Sequence, residues 1–367
     1  MVNDIENNLQ QVFSEFQVST PFLKTERIGS GHINDSFLVT TSGGEKFVMQ
    51  RINHDIFKDI PGLMNNILKV TMHLENKIIS GNPYAQAFSV IRLIPAKNNA
   101  SFHVDPGGNY WRLYNYLEGS KSYNIVENTG LAQEGGKAFA LFQYLTSDIP
   151  VGELHETIPH FHNIEKRLDT FRQTVIRDPE SRVNGVQKEI EFVEERAKEM
   201  TTILRLGQQG LIPLRVTHND TKFNNILFDA ADKAICIVDL DTVMPGYILY
   251  DFGDAIRTGA NTGAEDEKDL QKVSLSLELF EAYSRGYLEI AREFLNENEV
   301  AHLAFSAKFM TFIIGLRFLT DHIDGDHYFK IRFRDHNLQR ARAQFKLLLS
   351  MEEKYDRMKE IINAVMQ

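Results

Sequence analysis

The alternation of apolar and polar positions changes character about a third of the way along the chain. Residues 1–15 have the spacing of a short helix, and a β-meander follows over 22–52. In it, Thr25 to Gly29 leads into Ser30-Gly31-His32-Ile33-Asn34-Asp35, and Ser36-Phe37-Leu38-Val39-Thr40 reads as a strand. Thr41-Ser42-Gly43-Gly44 is a hairpin turn, and Lys46-Phe47-Val48-Met49-Gln50-Arg51-Ile52 is the return strand. Leu63, Ile67, Leu68, Met72, Ile78 and Ile79 recur at helical spacing over 61–79. Two further strands are expected near 89–94 and 110–117, with Asp105-Pro106-Gly107-Gly108 turning between them. Beyond Glu118-Gly119 the helical period takes over, at 129–146, 185–207, 268–293, 299–322 and 335–365, around one β-rich island at 214–241. The expected class is α+β, with a β-rich lobe over 1–117 and a mainly helical lobe over 118–367.

Length and composition agree with that division. A chain of 367 residues is long for one compact core, and 43% hydrophobic with 25% charged residues fits a globular protein. The formal net charge of −10 argues against non-specific nucleic-acid binding, which needs a surplus of Lys and Arg. Met1-Val2-Asn3-Asp4-Ile5-Glu6 lacks the basic start and apolar core of a signal peptide, and no stretch approaches eighteen uninterrupted apolar residues. A cytoplasmic protein without membrane or nucleic-acid partners is expected. The single cysteine, Cys236 in Ile235-Cys236-Ile237-Val238, excludes an intramolecular disulfide and reads as a small buried hydrophobe.

The chemistry concentrates in the island. His218-Asn219-Asp220-Thr221-Lys222-Phe223-Asn224-Asn225 precedes the apolar pair of runs Ile226-Leu227-Phe228 and Ile235-Cys236-Ile237-Val238, and the second run delivers Asp239 at its end. Phosphoryl transfer needs a carboxylate to orient and deprotonate the acceptor hydroxyl, oxygen ligands for Mg2+, and a cation at the transferred phosphoryl group. Asp220 suits the first role, Asn225 and Asp239 the second, and Lys222 the third. The pattern resembles the protein-kinase catalytic loop and, more closely, that of the aminoglycoside-phosphotransferase relatives, which implies a two-lobed protein-kinase-like fold binding ATP and Mg2+. The literal Asp251-Phe252-Gly253 lies 26 residues beyond Asn225, so it reads as a helix start whose Asp251 caps the helix or buttresses the loop. Asp241 reads either as a second metal contact or as a surface residue, and His218 as a hydrogen-bonder behind the loop.

On the nucleotide side, the backbone of Gly29-Ser30-Gly31 is a candidate for phosphate contact. The strand that carries a lysine in kinases has Gln50 at that register, which puts a Lys–Glu pair with Glu75 in doubt. Gln50, or Arg51 through a bulge, is the substitute contact for the phosphates. Asn115, Tyr116 and Leu117, after Trp111-Arg112-Leu113-Tyr114, are candidates to meet adenine.

Thr217 to Asn225, Val238-Asp239-Leu240-Asp241-Thr242-Val243-Met244-Pro245-Gly246, Tyr250 to Arg257, Leu316-Arg317-Phe318-Leu319-Thr320-Asp321, Gly325-Asp326-His327-Tyr328-Phe329 and Gly119-Ser120-Lys121-Ser122-Tyr123 together resemble the N-acetylhexosamine 1-kinases over nearly the whole chain. The resemblance implies phosphorylation of N-acetylglucosamine or N-acetylgalactosamine at the anomeric oxygen, with Arg317 and Tyr328 lining the sugar site and His32 reaching it from the glycine loop. Two other readings stand beside it. One is a kinase of the same fold for an aminoglycoside, choline or homoserine, which would use Asp321, Asp324 and Asp326 against a cationic acceptor. The other is a nucleotide-binding pseudokinase. His155, His160 and His162 have no recognised zinc spacing and read as surface histidines. Lys330, Arg332, Arg334, Arg340 and Arg342 read as a solvated helix face, and so does the charged run Glu191 to Lys198.

Overall fold

The computed structural model describes residues 2–28, 33–85 and 88–367. Helix α1 (Val2–Ser14) leads into the meander β1 (Phe22–Ile28), β2 (Asp35–Thr41) and β3 (Lys46–Ile52), followed by helix α2 (Ile60–Ile79) and the strands β4 (Leu93–Ile94), β5 (His103–Val104) and β6 (Tyr110–Asn115). The strands form one antiparallel sheet in the order β1-β2-β3-β6-β4, with β5 also on β6. Side chains alternate across a strand, so each face has its own partner. Phe47 and Met49 of β3 and Trp111 and Leu113 of β6 pack in a small core with Leu9, Val12, Phe13 and Phe16. Ile52 and Tyr114, on the opposite face, join the large core with Leu63, Met64 and Ile67 of α2. By the same parity Gln50 and Arg112, paired in register, face the helical lobe.

That lobe contains α3 (Thr129–Thr146), α4 (Ile164–Arg177), α5 (Gln187–Met200), α6 (Thr202–Gln208), β7 (Arg215–Thr217), the hairpin β8 (Ile226–Phe228) and β9 (Ala234–Ile237), and β10 (Met244–Gly246) paired with β7. It continues through α7 (Ile248–Gly259), α8 (Leu277–Ala291), α9 (Glu297–Ala301), α10 (Leu303–Asp324), α11 (His336–Glu353) and α12 (Tyr355–Met366). Helix α10 is long and apolar enough to cross a membrane, yet 94% of its most apolar window is buried, as the central helix of the core. Helices α3 and α8 approach closely because Gly136 and Gly286 carry no side chain. A Cβ on Gly286 would stand 1.9 Å from the Gln133 carbonyl oxygen. Asn128 begins α3 by accepting the Leu131 N–H, and Ser276 begins α8 by accepting that of Leu279.

The α+β division expected from the pattern is present, and most elements lie where the period placed them. Three long helical runs are each broken once, at Thr201, His302 and Lys354. The run 268–293 is regular only from Leu277, and residues 89–92 are not in a strand. Helix α4 was not expected; it buries only Ile164, Leu168, Phe171 and Thr174. Cys236 is buried, and burial pushes its thiol up to about 12, as suits an inert side chain.

Candidate active site

The loop 218–225 joins β7 to the β8–β9 hairpin, and α7 holds it from behind. Asp251, in the first turn of α7, accepts the His218 N–H at 2.9 Å, the Asn219 N–H at 2.7 Å and the Gln143 amide at 2.9 Å. The Thr221 hydroxyl donates to the Asp251 carbonyl, and the Thr221 N–H donates to Asp254. Asn219 adopts a left-handed conformation, φ 63°, with its amide donating to the Thr217 hydroxyl and the Thr242 carbonyl. His218 Nε2 lies 3.0 Å from the Val238 carbonyl, and its Nδ1 faces the Asp220 N–H. A carbonyl only accepts and an N–H only donates, so the proton is on Nε2. Asp251 therefore buttresses the loop, and His218 is a hydrogen-bonder behind it.

The loop brings three of the expected residues into contact. Lys222 Nζ is 2.9 Å from Asp220 Oδ1, and the Asn225 amide donates to the Asp220 carbonyl at 2.8 Å and its carboxylate at 3.2 Å. Burial opposes ionisation of Asp220, but Lys222, with help from His218 and Arg257, holds it below the usual carboxylate range. Lys222 is raised in turn, chiefly by Asp220. The Val238 N–H donates to the Asn225 carbonyl at 2.9 Å and sets Asp239 at the mouth of the loop, in a left-handed conformation with φ 61°. Solvent reaches Asp239 from the cleft, yet the surrounding protein desolvates it. That desolvation, then the Asp241 and Asp220 carboxylates, push it up to about 7. Its carboxylate has no hydrogen bond or ion pair among the described residues. A carboxylate crowded by two others, beside the amide oxygen of Asn225, is a donor set that fits a hard divalent cation such as Mg2+.

The sheet side departs from expectation. Asp241 is neither a surface residue nor open to a metal. It is 3% exposed, ion-paired with Arg112 and bonded to the Asn34 amide. Arg112, 1% exposed, donates from Nε to the Gln50 amide oxygen at 2.9 Å, and Gln50 donates to the Ser36 hydroxyl at 2.8 Å. Gln50 thus faces the cleft, as its register requires, with its amide committed to neighbours. Arg51 does not take over through a bulge. β3 is regular there, so Arg51 projects from the opposite face and pairs with Asp35. Glu75 pairs with Arg92, and the α2 side chain that meets Arg112 is Met64. Of the hinge candidates, the Asn115 N–H donates to the Arg92 carbonyl and the Tyr116 N–H to that of Lys46. Leu117 alone keeps its N–H without an acceptor among the described residues. Gly29, Ser30, Gly31 and His32 lie outside the described residues.

On the far side of Asp220, Arg317 of α10 is 9% exposed. Its guanidinium is 4.8 Å from the Phe161 ring centroid and 5.4 Å from those of Tyr328 and Phe329, and it donates to the Tyr328 hydroxyl at 3.3 Å. Arg317 and Tyr328 are therefore brought together, and Phe161 leads back to the loop: its ring is 4.3 Å from His162, whose Nε2 is 3.4 Å from the Asn219 carbonyl. Asp321 fixes the Tyr328 segment by accepting the N–H groups of Tyr328 and Phe329 and the Asn337 amide. Arg167, which the sequence did not signal, donates to the Phe161 carbonyl, and burial together with Arg317 lowers it to about 10. His162 is buried rather than on the surface, and burial, then Arg317 and Arg167, hold it well below its usual range. Arg340 likewise departs from the solvated face assigned to it. It is 6% exposed, 5.4 Å over the Phe318 ring, with its Nε unpartnered. Each is covered by elements distant in sequence, His162 by Asn219 and Tyr250 and Arg340 by Phe318 and the Lys330 carbonyl, which the local polar pattern does not record.

Residues 24–295 match the family described as the phosphotransferase enzyme family. Solved structures of the same fold include an aminoglycoside phosphotransferase from Alicyclobacillus acidocaldarius, 13% identical over 95% of this chain and 96% of that one, TM-score 0.60. An amicoumacin kinase in complex with AMP-PNP, Ca2+ and Ami is 12% identical over 96% of each chain, TM-score 0.63. A choline kinase from Cryptosporidium parvum is 14% identical over the full length of both, TM-score 0.58. With a family match across most of its length, and with a β-rich lobe over a helical lobe as in these structures, the chain belongs to the phosphotransferase enzyme family.

Proposed function

We propose that the chain is an ATP- and Mg2+-dependent kinase that phosphorylates the anomeric hydroxyl of an N-acetylhexosamine, N-acetylglucosamine or N-acetylgalactosamine. Asp220, held ionised by Lys222, accepts a hydrogen bond from the anomeric hydroxyl and takes its proton as the oxygen bonds the γ-phosphorus and ADP departs. Lys222 meets the negative charge on the transferred phosphoryl group. Asn225 and Asp239 would hold Mg2+, whose role when bound is to neutralise the nucleotide phosphates. Leu117 offers its N–H to adenine. Arg317 and Tyr328 receive the sugar, with Arg167 behind them: guanidinium donors suit hydroxyl and acetamide oxygens, and the half-open Tyr328 ring suits a sugar face.

The observation that carries the acceptor class is the charge of this pocket. Asp324 is paired with Arg177 and Asp326 with Arg182, and Asp321 is spent on main-chain N–H groups. Arg317 and Arg167 have no carboxylate within ion-pair distance among the described residues. The three acids that a cationic aminoglycoside or choline would need are committed, and the uncommitted charges are positive. A neutral, oxygen-rich acceptor fits this balance. The test is an ADP-release assay with Mg-ATP over N-acetylhexosamines, plain hexoses, methyl glycosides, aminoglycosides and amino alcohols. N-acetylated sugars should exceed plain hexoses by about one to two orders of magnitude, since an unmet buried polar partner costs about 1–3 kcal/mol. Methyl glycosides should be inert, and phosphorus NMR should place the phosphate on the anomeric carbon. Phosphate at the 6-position, or turnover of a methyl glycoside, overturns the assignment.

A further inference from the structure

The sheet of this protein lacks the lysine that kinase-like folds place on β3, yet the cleft is not without a cation. We propose that Arg112, on the adjacent strand β6, is the residue through which the sheet lobe binds nucleotide phosphates, held in place by Asp241.

Four observations converge. Arg112 lies directly opposite Gln50 in the antiparallel register, on the cleft face, and opposed side chains start only ~5 Å apart. A charge carried by a long side chain from β6 therefore reaches the region that a β3 lysine would serve. Second, Gln50 orients this charge, since its amide oxygen accepts from Arg112 Nε while its amide nitrogen is tied to Ser36. A lysine at position 50 would instead set two cations side by side. Third, the guanidinium is not used up. Nε and Nη1 are bonded to Gln50 and Asp241, and Nη2 has no hydrogen-bond acceptor among the described residues. Nη2, common to both donor edges of the planar guanidinium, is the nitrogen left for a phosphate oxygen. Fourth, the basic side chains on the strands and loop beside Arg112 are paired elsewhere: Arg51 with Asp35, Arg92 with Glu75 and Lys46 with Glu118.

The carboxylate partner matters as much as the cation. In protein kinases a glutamate from the sheet-lobe helix holds the lysine. Here α2 offers Met64 to Arg112, and the carboxylate comes from Asp241, two residues after Asp239. The pair therefore ties the sheet to the segment that would carry the metal, and Asn34 at the end of the glycine loop is fastened to the same carboxylate. Phosphate binding and metal binding become properties of one charged cluster that spans the lobes.

This inference rests on the nucleotide half of the proposed function and not on the sugar. Its test is calorimetric titration, without acceptor, of Mg-AMP-PNP and of adenosine, which lacks the phosphates. Arg112→Met should weaken Mg-AMP-PNP at least tenfold and leave adenosine binding as in the wild type. A purely structural role would weaken both ligands alike. If Arg112→Met does not fold because Asp241 is left buried and unpaired, the double variant Arg112→Met/Asp241→Asn removes both charges and is read in the same way. Wild-type affinity for Mg-AMP-PNP in a folded variant, or equal loss for both ligands, overturns the proposal. Failure of the sugar assay leaves this titration untouched, and failure here leaves the acceptor assignment standing.

Discussion

Replacing Asp220 by Asn removes a carboxylate that Lys222 and Asn225 already surround, with little change of volume. The variant should fold and bind nucleotide as the wild type does, while turnover falls by about 10³-fold or more, because the hydroxyl loses its proton acceptor. Retention of over a tenth of wild-type turnover would reject Asp220 as the base. Asp239 and Asp251 are acids of the same lobe, but their surroundings differ: solvent reaches Asp239, whereas Asp251 is buried. Asp239 has no hydrogen-bond or ion-pair partner among the described residues and should govern Mg2+-dependent nucleotide affinity, so Asp239→Ala should abolish most of it with little loss of melting temperature. Asp251 satisfies two main-chain N–H groups and the Gln143 amide. Asp251→Ala orphans all three donors, each at a cost of about 1–3 kcal/mol, and should lower the melting temperature sharply. Mg2+ titration and thermal melting of the two variants separate these roles, and a reversed pattern would move the metal site to Asp251.

The end of α10 and the segment after it act as one unit. Arg317 is fixed by its helix, whereas Tyr328 sits beyond the Gly325 C-cap, where Asp321 holds the N–H groups of Tyr328 and Phe329. Asp321→Ala should free that segment without touching the loop at Asp220. The expected result is a Michaelis constant for the acceptor raised about tenfold or more, with that for ATP nearly unchanged. Equal effects on both constants would show that the segment serves stability rather than the acceptor. The element also explains why one residue of the basic patch is buried while Lys330, Arg332, Arg334 and Arg342 are exposed as expected: Arg340 is covered by Phe318 and bonded to the Lys330 carbonyl and Asn337.

The two lobes are joined by more than the chain at the hinge. The Ser89 N–H donates to the Ile235 carbonyl at 2.6 Å, Asp241 receives Arg112 and Asn34 from the sheet lobe, and Asn66 of α2 reaches the helical lobe. Asn66 is fully buried, with its amide donating to the His155 and Val243 carbonyls and accepting the His155 N–H. Asn66→Ala leaves these groups unmet in a place that water does not reach, a loss of about 1–3 kcal/mol or more. Hydrogen exchange should show earlier opening of α2 in this variant, with protection in α8 and α10 retained. Unchanged exchange in α2 would mean that the apolar packing of Leu63, Met64 and Ile67 alone holds the helix.

The division into lobes and the catalytic loop were legible along the chain for a common reason. A change of apolar period from two to 3.6 is a local signal, and Asp220, Lys222, Asn225 and Asp239 fall within twenty residues whose hairpin geometry is set by its own alternating strand residues. Spacing alone therefore placed the candidate base, cation and metal ligands close together, on the loop and at the end of the hairpin that follows it. What surrounds them was decided elsewhere. Arg112 meets Asp241 across 129 positions and Asn34 meets it across 207, while Arg167, Arg317 and Tyr328 converge from two helices and a segment between helices. An apolar period reports which side of an element is buried. It carries no record of which element lies against that side, and only the packing of the lobes set Arg112 of β6 against Asp241 and brought Arg167 and Arg317 together without a carboxylate within ion-pair distance among the described residues.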